Sequence, residues 1–179
     1  MSGKMYKIVI TGPESTGKTA LAKELAAYFN TAYIPEFARE YVEKLAREYS
    51  YEDVEFIAHK QIALEKEMLS QSPEILFFDT GLIITKIWFQ HKYSKVPGWL
   101  TSYIKNWKVD LFLLCRPDLP WEFDPVRENP HIRNELFELY KQELDACNFY
   151  YEIIEGKGEK RFANALEACH KIIKNPGRI

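Results

Sequence analysis

Eight consecutive residues near the amino terminus constrain this chain more than any others: Gly12-Pro13-Glu14-Ser15-Thr16-Gly17-Lys18-Thr19 spells Gly-x-x-x-x-Gly-Lys-Thr. Glycines at both ends let the backbone curl until successive amide N–H groups point inward, which makes a concavity suited to phosphate. The pattern carries weight only between a strand and a helix, and both flanks are present. Tyr6-Lys7-Ile8-Val9-Ile10-Thr11 reads as a buried strand, and Ala20, Leu21, Leu25, Tyr28 and Phe29 recur at helical spacing directly afterwards. That helix adds the positive end of its dipole. Gly12, Glu14, Ser15, Thr16 and Gly17 are therefore expected to surround phosphates, and Lys18 to bridge the β- and γ-phosphates. Thr19 is expected to offer its hydroxyl to Mg²⁺, so that ATP with Mg²⁺ is the nucleotide pair the loop implies.

Beyond the loop, short apolar runs alternate with longer amphipathic stretches, the pattern of a parallel sheet covered on both faces. About five strands are expected, as is usual for such sheets: Tyr6 to Thr11, Ala32 to Pro35, Ile75 to Asp79, Leu111 to Cys115 and Tyr150 to Ile154. Helical spacing marks Asp53 to Leu69, a segment around Ile132, Leu136, Leu139 and Tyr140, and another around Phe162, Leu166, Cys169 and Ile173. The expected fold class is thus α/β, a P-loop NTPase with helices on both faces of the sheet, of the nucleoside- or nucleotide-kinase kind. A length of 179 residues suits one core better than two, so a single domain over 1–179 is expected. Two stretches exceed a minimal alternation: the aromatic-rich Ile83 to Trp107, and the Pro/Asp/Arg-rich Arg116 to His131. The second reads as a lid at approximately 116–133.

Charge and cysteine usage narrow the function classes. The formal net charge is −2, which leaves no overall field to gather nucleic acid or an anionic membrane. With no apolar stretch of signal-peptide or membrane-spanning length, a cytoplasmic location is expected. Cys115, Cys147 and Cys169 are widely spaced and form no Cys-x-x-Cys pair, so they read as reduced thiols packing as small apolar groups.

Open α/β sheets place ligands beyond the carboxyl ends of their strands. Asp79 closes Ile75-Leu76-Phe77-Phe78-Asp79, where it could hold Mg²⁺ or cap the following helix. Glu36 follows the second strand, with Arg39 one helical turn beyond. As a pair they could take a proton from an acceptor hydroxyl and bind phosphate, or form a surface salt bridge. Gln61 interrupts the apolar face formed by Val54, Ile57, Leu64 and Met68, and its partner is either backbone or a ligand; His59 lies off that face and reads as solvated. In the lid, Arg127 and Arg133 suit the charge that develops on a transferring phosphoryl group, or else are solvated surface charges.

Together these motifs resemble the ribosylnicotinamide kinase domain of the bifunctional NAD-biosynthesis regulators and its stand-alone relatives. The resemblance runs from Ile8 to Ile173. It rests on the P-loop, on Glu36-Phe37-Ala38-Arg39-Glu40, on Phe78-Asp79-Thr80, on Asp118-Leu119-Pro120-Trp121 with Asp124 and Arg127, and on Tyr150-Tyr151-Glu152-Ile153-Ile154 with Gly156 and Arg161. It implies ATP-dependent phosphorylation of the 5′-hydroxyl of nicotinamide riboside to nicotinamide mononucleotide in NAD salvage. It makes Glu36 the favoured general base or ribose ligand, and it strengthens Asp79 and Arg127. The chain starts at the P-loop strand, so the family's DNA-binding and adenylyltransferase functions are not expected of it. A positively charged pyridinium ring would be favoured by aromatic faces such as those of Trp88, Trp99, Trp107 and Trp121, of which Trp121, in a polar segment, is the expected substrate contact.

Two other readings keep the P-loop. One changes the acceptor to another nucleoside, a nucleotide or a small sugar acid; the other is a nucleotide-binding regulatory ATPase whose output is a protein contact.

Overall fold

Strand β1 (Tyr6–Thr11) lies at the centre of the sheet and carries the chain directly into the P-loop. The computed structural model describes residues 4–123 and 131–174. After α1 (Lys18–Tyr28) come β2 (Tyr33–Ile34), α2 (Phe37–Glu43), α3 (Tyr51–Ser70) and β3 (Ile75–Asp79). Then follow α4 (Leu82–Tyr93), α5 (Gly98–Asn106), β4 (Leu111–Cys115), α6 (Arg133–Ala146), β5 (Tyr151–Ile154) and α7 (Glu159–Lys174). The five strands are all parallel in the order β2-β3-β1-β4-β5. The register pairs Ile10 with Asp79, Thr11 with Leu114 and Cys115 with Ile154, so the carboxyl ends of β1, β3, β4 and β5 finish together.

Every residue of β3 and β4 is buried, which is why these strands read as unbroken apolar runs rather than alternating ones. Successive residues of β1 face opposite cores. Ile8 and Ile10 pack with Leu21, Leu25, Ala165 and Ile172 of α1 and α7, whereas Val9 packs with Val54 and Ala58 of α3, Ile83 of α4, Ile104 of α5 and Leu136 of α6. The burial of these side chains, at ~25 cal/mol per Å² of apolar surface, drives the layering.

Differences from the expected elements have local causes. β2 is shorter than Ala32 to Pro35 because it is an edge strand paired only through Tyr33 and Ile34, and Pro35 has no N–H to extend the ladder. The aromatic stretch from Ile83 to Trp107 is not irregular; it forms most of α4 and all of α5. On α1 the buried stripe is Leu21, Ala22, Leu25 and Ala26, and Tyr28, expected inside, is 54% exposed. On α7 the stripe is Arg161, Ala165, Ala168, Cys169 and Ile172. Leu139 faces outward on α6, while Tyr140 is buried.

The junction that carries Glu36 is fixed from outside the cleft. Ser50 and Asp53 form a reciprocal capping box at the start of α3. Asp53 also accepts from Arg47 at 2.5 and 2.9 Å and from the Tyr41 hydroxyl at 2.8 Å, which ties α2 to α3. The Arg47 guanidinium holds the Asp53 carboxyl well below the usual carboxylate range.

At the start of α4, Gly81 allows a close approach that no side chain could share. A Cβ there would lie 2.8 Å from Cη2 of Trp107 and 2.9 Å from Cγ1 of Val9. The indole cannot swing away, because its Nε1 donates to both carboxylate oxygens of Glu65 at 2.9 and 3.0 Å. Gly81→Ala is therefore expected to cost about 1–3 kcal/mol through overpacking. Urea denaturation would check this, with a lowered midpoint at unchanged slope as the expected result.

Candidate functional site

At the end of β1 the backbone turns within contact of β4, and only glycine fits there. Gly12 has φ of 132°, and a Cβ on it would lie 2.6 Å from the carbonyl oxygen of Cys115. Ser15 also adopts a left-handed conformation, with φ of 52°, and Gly17 caps α1 at φ of 74°. These reversals produce the inward curl that the motif predicts. Within the loop, Thr16 Oγ1 donates to Pro13 O at 2.8 Å and Lys18 Nζ donates to the same oxygen at 2.7 Å.

The outer side of the loop is clamped by two arginines. Arg161, 5% exposed, donates to Thr16 O at 3.1 Å, Gly156 O at 2.8 Å and Arg116 O at 3.2 Å, and pairs with Asp118. Arg133 donates to Ser15 O at 3.3 Å and to Leu119 O at 3.0 Å. Arg133 thus ties the P-loop to the segment after β4. Arg127 and the rest of 124–130, the centre of the expected lid, lie outside the described residues.

A cleft of about 650 Å³ opens in front of the loop. It is lined by Pro13 to Ala20, by Leu119, Pro120 and Glu122, and by residues of α2, Tyr49, α6 and one face of α4. Of the residues singled out from sequence, Glu14, Ser15, Thr16, Gly17, Lys18, Thr19, Glu36 and Arg39 line it. Arg39 pairs with Glu43 at 3.0 Å on the exposed face of α2. Asp79 does not line the cleft wall, but its carboxyl interacts with Thr19 and Lys18, which do.

Gln61 and Trp121 are not among the lining residues. Gln61 turns to backbone, its Oε1 accepting from Phe37 N at 3.4 Å. Trp121 instead meets the Arg133 guanidinium, 5.8 Å from its ring centre, between Pro120 and Glu122, which do face the cleft. His59 is exposed as expected, yet it stacks on Trp99 at 4.1 Å. Of the four tryptophans only Trp88 lines the cleft.

Burial raises the pKa of both strand-end carboxyls. For Glu36, which keeps part of its surface open to the cleft but sits deep among protein groups, burial is the largest cause; Lys18 and Arg39 oppose it, and Asp79 and Glu14 add to it. For Asp79 burial is again the largest cause, opposed by a hydrogen bond with Thr19 and by Lys18, Lys23 and Arg39. Asp79 Oδ1 and Thr11 Oγ1, at the ends of adjacent strands, are buried without a hydrogen-bond partner, as is Nε2 of Gln61. Buried polar atoms are rarely left so. Thr80, directly after Asp79, is a β-branched residue at φ of 63°, a strained conformation held by its N–H bond to Ile10 O at 3.0 Å.

Beside Trp88, which sequence reasoning named among its aromatic candidates, several cleft residues were not singled out for the site. Tyr140, 2% exposed, faces the cleft from α6, and its hydroxyl pKa is pushed well up by burial and by Glu36 and Glu14. Thr85, Trp88, His91 and Lys92 come from α4, and Tyr49 from the loop before α3. Burial pushes the Cys115 thiol up to about 11 and that of Cys169 up to about 12, which keeps both protonated, as suits thiols packed as small apolar groups. Among the described residues no helix is long and apolar enough to cross a membrane.

A family model described as an AAA domain matches residues 7–161. The trifunctional NAD biosynthesis/regulator protein NadR of Escherichia coli (strain K12) is 25% identical over 175 residues; the match takes in 93% of this chain and 42% of that protein. The chain therefore spans less than half the length of that relative. Among solved structures, a NadR protein in complex with NR has a TM-score of 0.82 at 23% identity, covering 93% of this chain and 51% of that one. A NadR protein in complex with NAD and AMP-PNP has a TM-score of 0.77 at 22% identity, covering 93% and 49%. Thymidylate kinase from Ehrlichia chaffeensis has a TM-score of 0.69 at 15% identity, covering 95% and 99%. The resemblance drawn from the motifs, and the P-loop kinase fold, are both borne out.

Proposed function

Since the chain belongs to the AAA domain family, and its fold is that of P-loop small-molecule kinases, we propose that it transfers the γ-phosphoryl group of ATP to the 5′-hydroxyl of nicotinamide riboside. The observation that carries this reading is one continuous cleft lined by the P-loop, by Glu36 and by the aromatic side chains of Tyr49, Trp88 and Tyr140. A slow switch needs the first of these and not the others. The similarity to NadR, one of whose structures holds NR and another AMP-PNP, supports the choice of donor and acceptor.

In this reading the P-loop amides and Lys18 hold the phosphates, and Lys18 exchanges its bond to Pro13 O for one to the transferring group. Glu36 accepts the proton of the acceptor hydroxyl; its raised pKa makes it a stronger base than an ordinary carboxylate. Thr19 and Asp79 would hold Mg²⁺. The Asp79 carboxyl, hydrogen-bonded with Thr19 and with its Oδ1 left unpartnered, fits the oxygen donors that Mg²⁺ would take with phosphate and water, where it would neutralise phosphate charge. Arg127 is retained as a lid arginine for the transition state and Arg39 as an acceptor-side cation. Gln61 and Trp121, which stand away from the cleft, are not.

Purified protein with ATP, Mg²⁺ and nicotinamide riboside is expected to release ADP and form the mononucleotide. A competition panel of cytidine, uridine, thymidylate and small sugar acids separates other acceptors. ADP release that is the same with and without nicotinamide riboside would sink the assignment, and binding of ATP with no acceptor in the whole panel would favour a regulatory ATPase.

A further inference from the structure

Away from the P-loop the cleft is walled by one face of α4, on which Ile84, Thr85, Trp88, His91 and Lys92 follow at one-turn spacings. Helix α4 begins just after Asp79. Lys92 stands ten residues beyond Leu82, about 15 Å along the axis, so it marks the end of the cleft remote from phosphoryl transfer. Its ammonium lies 3.5 Å from the ring centre of Tyr49. Tyr49 in turn meets Trp88 edge-on at 4.6 Å and accepts a hydrogen bond from Trp88 Nε1 at 2.8 Å.

The carboxylates along the cleft are confined to one part of it, where Lys18 and Arg39 stand among them. Its acidic lining residues, Glu14, Glu36 and Glu122, belong to the P-loop, the start of α2 and the segment above the P-loop. Among the described lining residues, the remote end has Lys92 and His91 and no carboxylate. A pyridinium ring with a neutral substituent would bring a fixed positive charge to an aromatic pair whose Tyr49 face already carries an ammonium. A ring with an anionic substituent would meet the opposite charge.

Resting on the kinase reading above, we infer that the remote end selects an acceptor whose ring carries an acid: the pyridine-3-carboxylate riboside, the acid analogue of nicotinamide riboside, in preference to the amide. The ring faces Trp88 and the carboxylate pairs with Lys92. Lys92 and His91 also suit the carboxyl end of α4, but that role is indifferent to the acceptor.

The test is kcat/KM for the two ribosides at saturating ATP and Mg²⁺. The wild type is expected to favour the acid by roughly fivefold, the scale of a solvent-accessible ion pair, and less so at high salt. Lys92→Met is expected to bring the ratio close to one and Lys92→Glu to invert it. Both variants should melt like the wild type, because Lys92 is exposed. A wild type that favours the amide, or a ratio unchanged in Lys92→Met, overturns the inference and leaves the kinase intact. Turnover of neither riboside by the wild type overturns the kinase reading and the inference with it, an outcome visible without the variants.

Discussion

Lys18→Ala is expected to lower turnover by roughly 10³-fold or more, the scale on which removing a charge-stabilising donor from a phosphoryl- or acyl-transfer site acts. The reason is electrostatic. Phosphoryl transfer leaves little covalent work to the protein, so positioning and neutralisation of the phosphate charge supply most of the rate. Among the described residues Lys18 makes one side-chain hydrogen bond, to Pro13 O, and its loss should cost only about 1 kcal/mol of stability. Activity and stability therefore separate, which circular-dichroism melting beside steady-state kinetics would show. A second consequence distinguishes this lysine from a mere anchor. Lys18 lowers the pKa of both Glu36 and Asp79 against the effect of burial. Without it both carboxyls rise further, and the acid limb of the residual activity should move to higher pH. Turnover within tenfold of wild type, or an acid limb that does not move, would remove Lys18 from this role.

The parts of the site that were legible in the sequence are those fixed by the backbone. The P-loop and Glu36 follow strands and Asp79 ends one, and in a parallel sheet the end of a strand is also a place in the molecule. Tyr140, Tyr49, Trp88 and Lys92 reach the same cleft from two helices and a loop that meet only after folding. Nothing in their spacing announces this. The face of α7 was legible only in part, for a related reason. Cys169 is buried, and Phe162 and Ile173 pack against the core from its margin, but the fully buried stripe is completed by Ala165, Ala168 and Ile172, small or offset residues that a search for large apolar side chains passes over. Arg161 shares that stripe because its guanidinium is fully engaged by backbone carbonyls and Asp118, which no hydropathy pattern reveals. Trp121 does not line the cleft, and its ring meets the Arg133 guanidinium, a neighbour twelve residues on that its sequence surroundings do not announce.

Glu36→Gln should reduce kcat by roughly 10² to 10⁴-fold, the range for loss of a general base, while ATP affinity survives because the P-loop keeps its amides and Lys18. The same substitution should stabilise the unliganded protein at neutral pH. Burial raises the Glu36 pKa in the folded state, so the folded protein binds more protons there than the unfolded chain. Its contribution to stability grows as pH falls through the raised value, and above that value the buried anion works against folding. A neutral glutamine of the same shape removes that cost, so the gain in Tm should be largest near neutral pH and fade in acid. In the wild type the acid limb of kcat/KM should lie above ~4.3, the ordinary glutamate value. In Glu36→Gln that limb should reduce to the contribution of Asp79, with which Glu36 is electrostatically linked. Equal losses of ATP affinity and turnover would place Glu36 with the nucleotide instead of the acceptor. A lower Tm at neutral pH would mean that its carboxylate is stabilised in the fold by more than Lys18 and Arg39.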